Sequence, residues 1–200
     1  MEKDNIYTIE YNIKNIFKLV LPSIISFVVI ALYQTVDAMF IGNFVGDFAV
    51  GAVNLFMPIL YFVFCIGVLL STGCNAYLPN LLGQKKEEEV SDAFSSAIIF
   101  LYITSAIFTL ILLFFRDNII SILGASLENR LYLYQYYTIL SAGTVAVVSQ
   151  VMVNTLLIAD GKGKMTVLLS VLGGVTNCGL DYLFMKVFRM GITGAAIATI

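Results

Sequence analysis

Residues 19–41 of the 200-residue chain read LVLPSIISFVVIALYQTVDAMFI, and this stretch decides the fold. It holds a single charged side chain, Asp37. An α-helix rises about 1.5 Å per residue, so the stretch is long enough to cross the roughly 30 Å hydrocarbon core of a bilayer. We therefore predict a transmembrane helix here.

The composition of the whole chain agrees with this prediction. It is 60% apolar and 12% charged, with a mean hydropathy of +0.93. A water-soluble domain usually carries about a quarter of charged residues, so the lipid bilayer is the expected surroundings. The absence of histidine excludes the classical hydrolase triads, and the net charge of −2 offers no basic face for nucleic acid. We expect no cofactor.

Further apolar stretches follow at short intervals, at 48–82, 93–115, 131–158 and 165–187, and a sixth begins near Gly191. Short connections predict an all-α antiparallel bundle of five complete transmembrane helices plus the start of a sixth. The sixth stretch stops at Ile200, at about half the length of a span. We therefore expect 1–200 to be a lobe truncated within helix six. The stretch 48–82 is too long for one span and should tilt, bend at Pro58 or leave the membrane near Pro79.

Basic residues predict the orientation of this multi-pass protein in the cell membrane. With the ends of the spans assigned to alternate sides, one side carries Lys3, Lys14, Lys18, Lys85, Lys86, Lys162 and Lys164. The other side carries Arg116, Arg130, Lys186 and Arg189. Because cytoplasmic loops carry the excess of basic residues, the amino terminus should lie in the cytoplasm.

Two carboxylates, Asp37 and Asp181, lie inside apolar spans. Each costs about 2.5–3.5 kcal/mol at a helix centre on insertion scales, so each needs an explanation. One interpretation is that both reach water near the outer surface. The other is that they form an ion or proton site.

Counting along the helices places several oxygen-bearing side chains about 8–16 Å below the outer surface. They are Asp37, Tyr136, Asn177, Asp181 and Thr199. Asn177 and Asp181 share one helix face, as do Gln34 and Asp37. Such hard oxygen ligands suit a proton or Na⁺, and Na⁺ would be held by Asp37, Asp181 and Asn177.

Several of the polar candidates also have a simpler explanation. Tyr136 could belong to an interfacial aromatic belt, and Thr199 could bond back to its own helix. Asn54 lies at comparable depth but could serve helix–helix contact. Asn154 is about 35 Å from the outer end of its helix, which argues against membership of the cluster. Pro22 could be a hinge or a static kink.

Three longer segments carry a family resemblance. They resemble the multidrug and toxic compound extrusion (MATE) transporters. The three segments read LPSIISFVVIALYQTVDAMFIGNFVGDFAVGAV, LLGQKKEEEVSDAF and ADGKGKMTVLLSVLGGVTNCGLDYLFMKVFRMGITGAAIATI. The most specific parts are VDAMFIG, the pair Asn177 and Asp181 followed by Tyr-x-Phe, and GITGAA.

The resemblance implies a twelve-helix carrier of two lobes that exports organic, often cationic, compounds in exchange for H⁺ or Na⁺. This chain would be the amino-terminal lobe, without the carboxy-terminal one. The family's cation site maps onto Asp37, Tyr136, Asn177, Asp181 and Thr199, with an Asn matching Asn154 nearby. It also implies that Pro22 bends the first helix.

Two other functions compete with this one. A lipid or lipid-linked saccharide flippase of the same superfamily would share the bundle but carry larger, more basic cavities. An intramembrane aspartyl protease would also use two membrane aspartates. Its Gly-x-Gly-Asp motif is not supplied by Cys178-Gly179-Leu180-Asp181. We therefore expect a transporter and not an enzyme.

Overall fold

The computed structural model describes residues 12–84 and 86–200. The regular structure of these residues is entirely helical. The elements are α1 (Ile13–Phe44), α2 (Asp47–Gly83), α3 (Glu87–Phe114), α4 (Arg116–Ile122), α5 (Arg130–Ala142), α6 (Thr144–Ala159), α7 (Gly163–Asp181), a π-helical segment (Tyr182–Val187) and α8 (Ile192–Thr199).

Four helical stretches of the described chain are long and apolar enough to cross a membrane: α1, α2, α3, and α7 together with the π-helical segment. A fifth crossing arises when α5 and α6 are counted as one bent span. Large apolar side chains cover the outside of the bundle, as Phe114, Leu69 and Val175 illustrate. Such a surface suits lipid and not water. The predicted all-α membrane bundle is confirmed, and the short helix α8 follows the fifth crossing.

The second predicted span is one continuous helix of 37 residues that contains both Pro58 and Pro79. The fourth was predicted as one uninterrupted stretch, but the chain bends by 56° between α5 and α6. Gly143 occupies the bend, where a Cβ atom would lie 2.6 Å from the side chain of Ile200. The missing side chain lets the end of α8 pack into the angle.

Helices α1 and α7 pack closely at two places. A Cβ atom on Gly163 would lie 2.9 Å from Cβ of Pro22, and one on Gly174 would lie 3.0 Å from Cδ1 of Tyr33. The contacts come in the same order and at equal spacing along both helices, so α1 and α7 run parallel. Glycine at 163 and 174 thus permits an approach that any larger residue would prevent.

Aromatic rings join α2, α3 and α5 in the core. Phe56 contacts Tyr136 and Tyr137 edge-on, each at 5.6 Å between ring centroids. The Tyr137 hydroxyl donates to the backbone carbonyl of Leu112 at 2.8 Å, which satisfies its polar atom inside the bundle. This core supports α5 at the position from which Tyr136 lines a cavity beside Asp37.

Candidate cation site

The parallel register of α1 and α7 brings the two membrane aspartates together. Asp37 lies one turn beyond Tyr33 on α1, and Asn177 and Asp181 follow Gly174 on the same face of α7. The carboxyl groups of Asp37 and Asp181 lie close enough to interact electrostatically. Asp181 is fully buried, which argues against the interpretation that it reaches water at the outer surface.

The oxygens of this pair lack hydrogen-bond donors. Both carboxylate oxygens of Asp181, Oδ1 of Asp37 and Oδ1 of Asn177 are buried, with no partner among the described residues. Ion pairs of the described chain lie elsewhere, at Lys86–Glu89, Arg116–Asp117 and Lys162–Asp160. A buried negative charge without a donor or a counter-charge is costly. Carboxylate and amide oxygens arranged this way suit a proton or a hard cation such as Na⁺.

A cavity of about 80 Å³ adjoins Asp37 of the pair. Its polar lining comes from five helices, with Tyr33, Gln34 and Asp37 from α1, Asn54 from α2, Tyr136 from α5, Asn177 from α7 and Thr199 from α8. This volume has room for a few water molecules or a partly hydrated cation. It is well below the roughly 300–1,000 Å³ of a pocket for a drug-sized compound. The cavity within this chain therefore fits a small ion.

Tyr136 and Thr199 meet at the edge of this cavity. Tyr136 is 2% exposed, so its placement in an interfacial belt is wrong. The Thr199 hydroxyl donates to the carbonyl of Ala195 at 2.9 Å, which confirms the interpretation that Thr199 bonds back to its own helix. Its oxygen still lines the cavity.

Of the remaining candidates, some line the cavity and others do not. Gln34 and Asn54 line the cavity, whereas Asn154, half-buried on α6, does not. The depth estimate, which placed Asn154 away from the cluster, agrees with this position. Pro22 lies inside α1 without ending the helix, about 22 Å below Asp37. It contacts Gly163 and not the cavity.

Comparison with known proteins adds the family. The MatE family model matches residues 22–183. The chain belongs to the MatE family. It is 27% identical over 183 residues to the multidrug export protein MepA of Staphylococcus haemolyticus (strain JCSC1435), covering 90% of this chain and 40% of that protein.

Solved structures are similar over the same range. A MOP superfamily transporter from Pyrococcus furiosus, described as having a binding pocket of reverse polarity, superposes with a TM-score of 0.83 at 26% identity, over 92% of this chain and 40% of that one. A multidrug resistance MATE family transporter in an outward-facing conformation gives a TM-score of 0.83 at 26% identity, over 92% and 41%. MatE proteins of this kind are membrane transporters and not enzymes, which excludes the aspartyl protease. The chain spans about 40% of the length of the relatives it matches.

Sequence reasoning missed two features of this candidate site. Tyr33 lines the cavity and packs on Gly174. Its spacing of four residues from Asp37 could have shown that both share a helix face. The second feature is the π-helical segment that begins directly after Asp181, with a backbone bond of 2.9 Å from Phe188 N–H to the carbonyl of Leu183. No sequence signal marks it, although π-helical turns often occur beside functional residues.

Proposed function

We propose that this chain is the amino-terminal lobe of an antiporter that exports small organic, often cationic, compounds in exchange for H⁺ or Na⁺. One observation carries the proposal: buried oxygens of Asp37, Asn177 and Asp181 converge without donors in a lobe of a transporter family. Five oxygen-bearing side chains supply the cation site, namely Asp37, Tyr136, Asn177, Asp181 and Thr199. Gln34 and Asn54 lie in its wall, and Asn154 has no direct part in it.

Coupling follows from the repulsion between the two carboxylates. A proton or Na⁺ bound between Asp37 and Asp181 relieves the repulsion and favours the arrangement in which α1 and α7 are closest. Without a cation, the two negative charges favour a looser arrangement. The cation therefore binds the two arrangements with different free energies, which is the condition for driving a conformational change. Pro22 is the proposed hinge, because a proline removes one backbone bond of α1.

The exported compound needs a second lobe. The cavity of about 80 Å³ is too small for an organic cation with aromatic groups. In carriers built of two repeats, the substrate site lies at the interface between them. The partner of this lobe is thus the carboxy-terminal lobe, and the substrate binds between the two.

The lining of the cavity favours the antiporter over the lipid or saccharide flippase. Its polar side chains are one carboxylate, three amides and hydroxyls, with neither Lys nor Arg among the lining residues. A phosphate-bearing lipid would need basic groups, which bind phosphate oxygens. An acidic cavity selects for cations instead.

We propose that the lobe lies in the plasma membrane, with its amino terminus in the cytoplasm. Support comes from the lysines at 14, 18, 86, 162 and 164 on the amino-terminal side of the bundle. Lys3 and Lys85 lie outside the described residues. On the opposite side, Arg116 stacks 3.9 Å over the Tyr134 ring and Lys186 lies 4.8 Å from the Tyr182 ring.

Asp37→Asn and Asp181→Asn in the complete protein test the cation site. Asparagine keeps the shape of the side chain but removes one charge. We expect both variants to fold, to reach the membrane and to lose export, and a fluorophore on α1 to lose its response to acid and Na⁺. Asp160→Asn, an exposed aspartate beyond α6, is the matched control and should keep both properties. A wild-type cation response in both test variants would show that the site is wrongly assigned.

A further inference from the structure

Three hydroxyl groups between α1 and α7 are buried without partners. Ser26 on α1 is 4% exposed, and Thr166 and Ser170 on α7 are 2% and 8% exposed. None of the three hydroxyl oxygens has a hydrogen-bond partner among the described residues. An unpaired hydroxyl inside an apolar bundle costs free energy, so three together call for an explanation.

Several other hydroxyls in the helices of the described chain are paired. Thr35, also on α1, donates to the carbonyl of Ala31 at 2.8 Å. Thr72 of α2 and Thr155 of α6 make the same bond to the fourth preceding carbonyl, at 2.8 and 2.7 Å. This back-bonding is the usual way in which a helix satisfies Ser and Thr without a partner helix. Six side-chain hydroxyl oxygens of the described chain are buried without such a bond, and three of them, in Ser26, Thr166 and Ser170, belong to α1 and α7.

Helical periodicity places these hydroxyls on the contact face of each helix. At about 100° per residue, Ser26 shares a face of α1 with Pro22 and Tyr33. Thr166 and Ser170 share a face of α7 with Gly163 and Gly174 by the same count. The two close contacts, Pro22 with Gly163 and Tyr33 with Gly174, show that these faces meet.

The hydroxyls form a layer between the two close contacts. Ser26 lies about 6 Å above Pro22, and Thr166 and Ser170 lie about 5 and 10 Å above Gly163. The contact of Tyr33 with Gly174 follows about 6 Å above Ser170, and the carboxylate pair comes next. We call Ser26, Thr166 and Ser170 the hydroxyl seam.

We propose that the hydroxyl seam is the path by which the coupling cation passes between the carboxylate pair and the amino-terminal side of the membrane. Tyr33, packed on Gly174, separates the seam from the cavity in the arrangement described here. This inference rests on the proposed function and adds the route that the ion takes.

The chemistry of the seam suits such a route. Each hydroxyl can both donate and accept, so the three can replace part of the hydration shell of Na⁺ or hold water in a proton-conducting chain. Hydroxyls carry no charge of their own, so a cation meets neither a deep trap nor a repulsive group on the way. The titratable neighbours along α1 and α7 are Tyr33, Cys178 and the carboxylate pair, with Tyr136 reaching in from α5.

The test compares two pairs of hydroxyl deletions in the complete protein. The seam variant is Ser26→Ala with Ser170→Ala. The matched control is Ser105→Ala with Thr109→Val, which removes two buried, unpartnered hydroxyls from α3, a helix that packs on α2, α5 and α6. Both variants are reconstituted in one orientation, with a fluorophore on α1. A jump in acid or Na⁺ is then applied to one side at a time.

We expect the seam variant to keep the wild-type midpoint for acid and Na⁺ and the wild-type thermal stability. Its response to a jump on the amino-terminal side should slow about tenfold, the factor that corresponds to one lost hydrogen bond to a charged group. The response from the opposite side should stay unchanged, as should both responses of the control.

Two results would overturn the inference while leaving the proposed function in place: wild-type rates from the amino-terminal side, or equal slowing in the control. A different result would overturn both. If the wild-type protein itself responds to neither acid nor Na⁺, the carboxylate pair binds no coupling cation and no route is needed.

Discussion

Gly67→Ala should destabilise the bundle because α2 and α6 approach closely at Gly67. A Cβ atom at this position would lie 2.8 Å from Cβ and 2.9 Å from Cγ1 of Val151, and 3.4 Å from the carbonyl oxygen of Val148. Carbon atoms in contact normally lie about 3.5–4.0 Å apart. Since Cβ of Val151 is fixed to its own backbone, the side chain cannot rotate away, and the two helices must separate.

The expected magnitude comes from two opposing contributions. Overpacking of this kind costs about 1–3 kcal/mol. Replacing glycine by alanine inside a helix stabilises it by about 0.5–1 kcal/mol. Gly73→Ala on the same helix isolates the second contribution, because nothing lies within 4 Å of the added Cβ atom. The free energies of unfolding of the two variants should thus differ by about 1–3 kcal/mol, with Gly67→Ala the less stable.

Unfolding of the purified protein in detergent, followed by helical circular dichroism during denaturant titration, measures this difference. A double-mutant cycle with Val151→Gly adds a second check, since Gly67→Ala should cost less once the clashing side chain is gone. If Gly67→Ala is as stable as Gly73→Ala, the close approach of α2 and α6 is wrong.

Two further predictions concern the topology and the lobe. In a background without native cysteines, Lys86→Cys should react with an impermeant thiol reagent only in inverted vesicles, and Glu128→Cys only in intact cells. Labelling of Lys86→Cys in intact cells would reverse the orientation. Residues 1–200 alone should insert into the membrane but not transport, because the cavity between two lobes cannot alternate with one wall missing. Substrate counterflow by this lobe alone in liposomes would contradict this, and joining it to a carboxy-terminal lobe should restore activity.

The membrane spans were accessible from the sequence because they depend on local composition. A stretch of about 20 apolar residues is driven into lipid by its own side chains, whichever helices surround it. The bend at Gly143 depends instead on packing, because the side chain of Ile200 fills the angle.

For the polar candidates too, the sequence predicted some properties and the structure was needed for others. Helical spacing alone placed Asn177 with Asp181 and Gln34 with Asp37, because residues three or four apart share a face. The rise per residue alone separated Asn154 from the cluster. The burial of Tyr136 could not be derived from the sequence, because a tyrosine at this depth would also suit an interfacial belt. Its burial follows from the contact with Phe56, which belongs to another helix.

The sequence by itself therefore determined that this is a helical membrane bundle and which side chains are costly in lipid, and it predicted the depth at which they lie. Those properties belong to single helices and follow from composition and a constant rise per residue. Only the tertiary structure decided that α1 and α7 run parallel in a register that brings Asp37 to Asp181, and that Ser26 lies level with Thr166 and Ser170. The register between α1 and α7 is set at Gly163 and Gly174, where the side chains are small enough for the two backbones to approach. Such an approach depends on the surfaces of both helices, so one helix's sequence does not reveal it.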